Sequence, residues 1–206
     1  VVAVNALLEQ PFERKDLLPF ALEGEAAVSG YHADNVAPCL IGGITLINGT
    51  KVEDIHALPV PDEFYLALVT PDVEVPTAQA RAVLPEHISL AQMTKQTGAV
   101  AALIDAFYRD DVVAIAKAMA SDTIVEPARA HLMPHIEDVR SAAQQAGALA
   151  VVISGAGPTL CAVCQSNPVA EAVVNAMKTV YSDAQIATRT RLSQVDTQGS
   201  VVQAVE

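Results

Sequence analysis

The sequence predicts an α+β fold in two layers, with helices on one face of a largely antiparallel sheet and a helical segment ahead of it. First, residues 1–43 carry apolar side chains at helical spacing. Second, the dipeptide Asn48-Gly49 between two apolar runs is typical of a β-hairpin turn. Third, short strand-like runs alternate with a long helical pattern after residue 149. We therefore expect residues 1–43 to be the helical remnant of a first domain and residues 44–206 to form a second domain.

The first part of the chain is predicted to change from helices to strands. The predicted elements are helices at 1–9, 15–30 and 35–41, and strands at 44–47, 50–55 and 63–69. Pro19 is compatible with the second helix because it falls in the first turn, where no intrahelical N–H is needed. Gly30 is expected to end that helix.

The sequence after residue 69 predicts further helices and strands. They are helices at 78–84, 90–109 and 110–120, one ending near 146 and one at 169–181, and strands at 149–154, 159–164 and 185–192. Thr77 is the expected N-cap of the first of these helices. The two helices between residues 90 and 120 should pair as a hairpin. They could provide a homodimer face, although packing into the core is the more common use. The polar residues after Gln194 are expected to be a terminal segment.

Charge excludes two classes of partner. The 206 residues have a formal net charge of −12. Binding to nucleic acid or to an anionic membrane needs clustered Lys and Arg, so neither is expected as a partner. No apolar run approaches the roughly 18 residues of a membrane span, so we expect a soluble, cytoplasmic protein. The chain starts without Met in the middle of an apolar helical rhythm, so we expect it to be part of a longer product.

The three cysteines fit a reducing compartment better than a disulfide scaffold. Cys161 and Cys164 form a Cys-x-x-Cys pair, a spacing also found in zinc and redox sites. They lie in a predicted strand, whose side chains alternate between faces, and no second Cys or His cluster completes a tetrahedral site. His131 and His135 have the spacing of a helical metal pair, but Pro134 interrupts the helix between them. We therefore expect neither pair to bind metal.

The stretch from His32 to Gly43 is a candidate binding corner. Asp34 or Asn35 could cap a short helix whose N–H groups would suit an anion or a polar substrate. Alternatively, and with equal weight, Asp34 and Asn35 are only caps and His32 is a loop histidine. The spacing alone leaves both interpretations open.

Three other groups are candidates for chemistry. The glycine loop, Ser-Gly-Ala-Gly-Pro-Thr at 154–159, could shape a phosphate or substrate pocket, although an ordinary hairpin is the more common use of such a sequence. Glu23 or Glu25 could hold magnesium on nucleotide phosphates. Arg81 and Arg129 could grip a carboxylate together, or each could form a surface salt bridge.

Four motifs occur together along the chain. They are His-Ala-Asp-Asn-Val-Ala-Pro with Gly-Gly over 32–43, Val-Pro-Thr-x-x-x-Arg over 75–81, Val-Glu-Pro-Ala-Arg over 125–129, and the glycine loop. In order and spacing they resemble the homoserine kinase family of the GHMP kinase superfamily. The first and third motifs are the more specific, and the resemblance covers essentially the whole chain. It implies a GHMP kinase C-terminal domain of ferredoxin-like fold, preceded by a remnant of the N-terminal domain.

The resemblance implies a substrate site. Arg81 and Arg129 correspond to arginines that bind the homoserine carboxylate. His32 and Asn35 correspond to the corner that lines the amino-acid site beside the reacting hydroxyl. The implied reaction transfers the γ-phosphoryl group of ATP to the hydroxyl of L-homoserine, which gives O-phospho-L-homoserine on the route to threonine.

The resemblance also implies a metal ligand and a motif on the nucleotide side of the active site. Glu25 corresponds to the Mg²⁺ ligand, with Glu23 as the less favoured register. Gly155, Ala156 and Gly157 correspond to the motif that packs against the nucleotide loop. Phosphoryl transfer depends on alignment and charge neutralisation, so Glu25 and Asn35 are the expected catalytic residues, with no general base assigned. Family members carry a further N-terminal part with the phosphate loop, so we expect the 206-residue chain alone to be inactive.

Two alternatives accompany this interpretation. The first is another GHMP kinase acting on a different alcohol, against which the arginine pair favours an amino-acid carboxylate. The second is a non-catalytic amino-acid-binding module, which would explain the arginines but not the magnesium-type Glu25.

Overall fold

The computed structural model describes residues 1–28 and 30–203, and the chain divides into two compact units. The first comprises Val1–Val60 with the residues from Val195 onward, and the second comprises Pro61–Gln194. This division differs from the one expected at residue 43, because the hairpin after Gly43 and the terminal segment both belong to the first unit. In the described part of the chain, no helix is both long and apolar enough to cross a membrane.

The first unit is built from short helices and a hairpin. Its elements are α1 (Val2–Leu7), α2 (Leu18–Ala26), α3 (Ala33–Ile41), β1 (Ile44–Ile47) and β2 (Ile55–Leu58). A 3₁₀ helix, Arg14–Leu17, leads into α2, and Pro19 lies in the first turn of α2 as predicted. α2 ends at Ala26, earlier than predicted, and residue 29 of the predicted helix lies outside the described residues. The core of this unit contains Leu17, Leu18, Leu22, Ala33, Ala37 and Leu40.

The hairpin differs from its prediction. β1 and β2 pair antiparallel over four residues each. The prediction of a second strand at 50–55 after a two-residue Asn48-Gly49 turn is wrong. The connection runs from residue 48 to 54 and contains a 3₁₀ helix, Val52–Asp54. The Asp54 carbonyl accepts the Asn48 N–H at 3.0 Å and the Asp54 carboxylate accepts the Lys51 N–H at 3.1 Å. Asp54 therefore stabilises a longer loop than the dipeptide alone predicts.

The second unit contains a four-stranded antiparallel sheet of order β4-β5-β3-β6. Its strands are β3 (Tyr65–Pro71), β4 (Ala150–Ile153), β5 (Leu160–Cys164) and β6 (Thr188–Ser193). Its helices are α4 (Thr77–Ala82), α5 (Leu90–Tyr108), α6 (Val112–Met119), α7 (Val125–Ala130), α8 (Ile136–Gln145) and α9 (Asn167–Asp183). With α8 before β4 and α9 before β6, the order and pairing are those of a βαββαβ ferredoxin-like fold, as predicted.

The main core lies between this sheet and the helices α8 and α9. α9 buries residues at helical spacing, namely Ala170, Val173, Met177 and Tyr181. All five residues of β5 are buried, so the centre of the sheet is covered on both faces. Cys164 belongs to this core and Cys161 points to the opposite face, as the strand pattern predicted. Burial raises the pKa of each thiol to about 11.

α5 and α6 pair as a helical hairpin, as predicted. Ser89 accepts the Gln92 N–H at the start of α5, and Asp111 accepts the Ala114 N–H at 2.9 Å at the start of α6. Of the α5 residues, Ala106 and Phe107 are buried. Most of α5 is therefore exposed rather than packed into the core, and the homodimer face stays a prediction.

Candidate functional site

α7 carries two charged residues of the site and was not predicted as a helix. The Asp122 carboxylate accepts the backbone N–H groups of Ile124, Val125 and Glu126 at 2.8 to 3.1 Å. Burial alone would raise the pKa of Asp122, but these hydrogen bonds lower it below its ordinary value. Pro127 lies in the first turn, where its missing N–H costs nothing. An Asp followed by a first-turn Pro is the sequence signal that could have predicted α7.

Arg129, near the end of α7, joins three segments of the second unit. Its Nε donates to the Ala80 carbonyl oxygen on α4 at 3.0 Å, and its Nη1 donates to the Gly155 carbonyl oxygen in the glycine loop at 2.9 Å. Within the described residues Arg129 forms no ion pair with a carboxylate, so the alternative of a surface salt bridge is wrong for this side chain. Its half-buried guanidinium instead fixes α4 and the glycine loop relative to α7.

Arg81 directly follows Ala80, and the carbonyl oxygen of Ala80 accepts the hydrogen bond from Arg129. The Arg81 side chain is exposed and, within the described ranges, has no ion pair. The prediction that Thr77 caps α4 is wrong: Pro76 occupies the N-cap with extended ψ, and Thr77 is already helical. The two arginines predicted to act together are thus linked through the peptide that Arg129 binds.

Glu126 is held by its neighbours on two sides. Its carboxylate forms an ion pair with Arg140 of α8 and accepts the Ile153 N–H at 3.2 Å at the end of β4. Burial raises the pKa of Glu126, and the Ile153 and Arg140 contacts offset only part of that effect. Glu126 and Arg129 therefore hold the backbone at Ile153 and Gly155, on either side of Ser154, where the glycine loop begins. Glu126 belongs to the motif over 125–129, but the sequence alone predicted no role for it.

The glycine loop connects β4 to β5 as a hairpin, one of its two predicted uses, and its use in shaping a pocket stays a prediction. Gly155 and Gly157 have φ of +61° and +85°, which favours glycine. A Cβ on Gly157 would meet the Met133 side chain at 2.5 Å, whereas nothing lies within 4 Å of a Cβ on Gly155. The loop is therefore a hairpin connection that leaves open space at Gly155, beside Ala156.

α3 begins ahead of both predicted caps, Asp34 and Asn35. Its N-cap is His32, whose backbone is extended, and the helix starts at Ala33. Asp34 and Asn35 therefore lie inside the first turn, and the prediction that either caps the helix is wrong. Neither side chain forms a hydrogen bond within the described residues. His32 is exposed, with its ring against Gly30, where a Cβ would be 3.3 Å from Nε2.

Asn35 and Glu25 line one cavity of about 470 Å³ in the first unit. Cys39, from the last turn of α3, and Ser200, from the terminal segment, line the same cavity. Glu25 is half-buried at this wall. Of the corner residues, Asn35 contributes to the cavity and His32 does not.

Glu23 has a different environment from Glu25. It is exposed, and its carboxylate accepts the Tyr31 hydroxyl at 2.5 Å. This hydrogen bond raises the pKa of Tyr31. Of the two candidate registers for the metal ligand, Glu25 is therefore the one that shares a cavity with Asn35.

The Glu25 carboxylate in this cavity fits Mg²⁺ held on phosphates. A carboxylate oxygen is a hard ligand, and Mg²⁺ in nucleotide sites uses one or two carboxylates together with substrate phosphates and water. Across residues 1–28 and 30–203, no group of three or more His, Cys, Asp and Glu side chains could hold a metal ion. The donor set therefore suits an ion that arrives with a nucleotide better than an all-protein cage.

The structure groups the predicted site residues by unit. His32, Asn35 and Glu25 lie in the first unit. Arg81, Arg129 and the glycine loop lie in the second.

Comparisons of sequence find homoserine kinases. The family model described as GHMP kinases C terminal matches residues 103–183. The homoserine kinase of Chlorobium phaeobacteroides strain BS1 is 42% identical over 183 residues, which cover 88% of this chain and 57% of that protein. The homoserine kinase of Arabidopsis thaliana is 44% identical over 167 residues, which cover 80% and 45%. The chain thus spans about half the length of the curated relatives it matches.

Comparisons of structure agree. The crystal structure of homoserine kinase from Cytophaga hutchinsonii matches with a TM-score of 0.90 and 43% identity, covering 95% of this chain and 62% of that one. A mevalonate kinase from L. major matches with a TM-score of 0.69 at 19% identity, which shows a common fold alone.

Proposed function

Because the chain belongs to the GHMP kinase family, we propose that it is part of a homoserine kinase, which transfers the γ-phosphoryl group of ATP to the hydroxyl of L-homoserine. The relatives of 42% and 44% identity named above support this assignment. The observation that carries it is the environment of Arg129, a half-buried cation whose hydrogen-bond partners are two backbone carbonyls. A guanidinium without a carboxylate partner among the described residues is suited to bind a carboxylate ligand.

The substrate would be held at its carboxylate end by the two arginines. Nε and Nη1 of Arg129 are engaged, so the Nη2 edge is the one we assign to the ligand. The exposed Arg81 would supply the second cation. A neutral alcohol would gain little from these two charges, which favours homoserine over the alternative of a GHMP kinase for an uncharged substrate.

Separate roles are proposed for residues of the first unit, taken by itself. Mg²⁺, when bound with ATP, would neutralise phosphate charge. Glu25 would hold that ion, and the Asn35 amide would orient the substrate hydroxyl, with His32 at the edge of the corner. In the second unit, the open backbone at Gly155, Ala156 and Gly157 would pack against the nucleotide loop of the full-length protein. These roles need positioned polar groups rather than a covalent intermediate.

The proposal concerns the full-length protein that contains this chain. The matched relatives extend well beyond the part aligned here. We propose that residues 1–43 belong to the N-terminal GHMP kinase domain of that protein. The 206-residue chain by itself is expected to release no ADP with homoserine.

The deciding experiment is ADP release by the full-length protein with L-homoserine beside a panel of neutral alcohols and mevalonate. Selective turnover of L-homoserine is expected. Turnover of another alcohol alone would assign a different GHMP kinase. No turnover by the folded protein would favour the amino-acid-binding module.

Two arginine variants test the carboxylate contact. Arg81→Ala is expected to raise the KM for homoserine roughly tenfold or more, since a hydrogen bond to a charged group contributes about 1.5–3 kcal/mol. The melting temperature should be unchanged, because Arg81 has no partner among the described residues. Arg129→Ala should raise KM and also lower the melting temperature, because it frees the Ala80 and Gly155 carbonyls.

Arg191→Ala, at an exposed position of β6, is the matched control. It removes the same charge from an acidic protein without touching α4 or α7. If Arg191→Ala raised KM as much as Arg81→Ala, a general loss of positive charge would explain the effect and the assigned contact would be wrong.

A further inference from the structure

Two glycines that lie far apart in the sequence meet in the first unit. Gly42 follows the end of α3 at φ +84°, and Gly199 in the terminal segment has φ +68°. A Cβ on Gly199 would meet the Gly42 nitrogen and the Leu40 carbonyl oxygen at 2.7 Å, and a Cβ on Gly42 would meet the Gly199 nitrogen at 2.5 Å. Because these neighbours are backbone atoms, only glycine fits at either position. The terminal segment is thus packed directly on the end of α3.

Hydrogen bonds reinforce this contact on both sides. The Gly43 N–H donates to the Asp196 carbonyl at 2.7 Å. The Ser200 N–H and hydroxyl both donate to the Cys39 carbonyl, at 2.9 and 2.8 Å. The Cys39 carbonyl is one of the last four of α3, which have no intrahelical donor. We call residues 196–200 the terminal clamp, because they satisfy and fix this helix end.

The stability of α3 is expected to depend on the terminal clamp. It has nine residues, and Pro38 inside it provides no N–H for the carbonyl of Asp34. A helix this short is marginal without tertiary contacts. The Arg14 guanidinium also donates to the Gln198 carbonyl, which ties the clamp to the 3₁₀ helix that leads into α2. Because α2 carries Glu25 and α3 carries Asn35, the clamp bears on both walls of the shared cavity.

We propose that the terminal clamp positions Asn35 for catalysis and that Ser200 is its principal positioning residue. The proposal rests on the proposed function. Ser200 holds the last turn of α3 through Cys39 and lines the same cavity as Glu25 and Asn35. It acts by fixing α3 rather than by touching the reacting atoms. A misplacement of about 1 Å can reduce the rate of an aligned reaction about 100-fold, so loosening the clamp should lower kcat more than substrate binding.

The kinetic test compares three variants of the full-length protein. Ser200→Ala removes the hydroxyl bond and should lower kcat about tenfold, with a smaller change in the KM for homoserine. Ser200→Thr keeps a hydroxyl and should restore most of kcat. Ser193→Ala is the matched control, because the Ser193 hydroxyl also donates to a backbone carbonyl, that of Gln194 at 3.1 Å, outside the clamp. Equal kcat in Ser200→Ala and wild type, or an equal loss in Ser193→Ala, would overturn the proposal.

A second readout does not require turnover. Cys39 is exposed, whereas Cys161 and Cys164 are buried and have a pKa of about 11, so a thiol reagent at mildly alkaline pH reacts first at Cys39. Ser200→Ala keeps the backbone N–H bond to the Cys39 carbonyl, so the last turn of α3 should loosen and Cys39 should react several-fold faster, while Ser193→Ala leaves the rate unchanged. If the wild type phosphorylates no alcohol, the proposed function fails, and the Cys39 rates still decide whether the clamp holds α3. Identical rates in Ser200→Ala and wild type would reject the clamp.

Discussion

α3 and α7 each carry a candidate site residue, Asn35 and Arg129, and the two helices are held in different ways. The end of α3 is fixed mostly by main chain, through the Gly42–Gly199 contact and the Ser200 N–H bond to the Cys39 carbonyl, with the Ser200 hydroxyl as the one side-chain bond described there. α7 is fixed by side chains, since Asp122 caps its start and Glu126 and Arg129 reach backbone groups of neighbouring segments. α3 should therefore be sensitive to any atom added at its contact. α7, for which no such backbone contact is described, should be sensitive chiefly to the loss of particular polar atoms.

The largest effect is expected for Gly199→Ala. Its Cβ would overlap backbone atoms at 2.7 Å, and its φ is +68°. Left-handed backbone costs alanine roughly 1–2 kcal/mol, and overpacking adds typically 1–3 kcal/mol. Gly43→Ala is the matched control, because Gly43 has a similar φ of +74° but nothing within 4 Å of a Cβ. Urea unfolding should show a loss of about 3 kcal/mol for Gly199→Ala and about 1–2 kcal/mol for Gly43→Ala. Equal losses would mean that backbone conformation, and not the contact, decides the cost.

The counterpart in the second unit is Asp122→Ala. Three backbone N–H groups at the start of α7 lose their acceptor. Loss of such a cap costs about 1–2 kcal/mol, measurable by the same unfolding experiment. Asp122→Asn keeps one side-chain oxygen and should recover part of the loss. If Asp122→Asn were as unstable as Asp122→Ala, the charge rather than the hydrogen-bond geometry would be what stabilises α7.

The two modes of support differ in how far the sequence predicts them. Asp122 and Pro127 lie within five residues of the helix they start, so a local pattern contains that information. Glu126 and Arg129 lie in a recognisable motif, but their partners at Ile153 and Gly155 are backbone groups, whose identity leaves no trace in the sequence. Most elements of the second unit followed from local patterns, because each is specified by its own periodicity, and the ferredoxin-like fold followed from the resemblance.

The terminal clamp could not be predicted in this way. Gly42 and Gly199 each read as an ordinary turn glycine, and their meeting depends on the whole path of the chain between them. The polar segment after Gln194 was expected to be only a terminus, of which residues 204–206 lie outside the described part. The misplaced caps at Thr77, Asp34 and Asn35 have a similar origin, because Pro76 and His32 took the extended conformation that begins each helix. The exact residue at which a helix begins thus depends on the backbone conformation of the residue that precedes the helix.

The two carboxylates of the α7 region, Glu126 and Asp122, should make stability depend on pH in opposite ways, and this effect is expected to be smaller. Burial raises the pKa of Glu126, so the folded state binds more protons there than the unfolded state, and stability falls as pH rises through that raised pKa. Burial also opposes the charge of Asp122, but the backbone bonds lower its pKa, so the stability it contributes is lost as pH falls through that lowered pKa. Unfolding midpoints between about pH 3 and pH 7 should show a flatter upper range for Glu126→Gln and a flatter acid range for Asp122→Asn. The reverse pattern would contradict the assigned causes.

The smallest expected change is at Thr123, between Asp122 and Ile124. Its hydroxyl oxygen is buried and has no hydrogen-bond partner within the described residues. Its backbone N–H donates to the Gln96 side chain of α5 at 3.4 Å, a contact that a valine at this position would retain. Thr123→Val removes the unpaired oxygen and keeps the branched shape, so stability should be unchanged or should rise by up to about 1 kcal/mol. A clear loss of stability in urea unfolding would show that the hydroxyl is satisfied in solution, and that α7 is held by one more polar contact than those described.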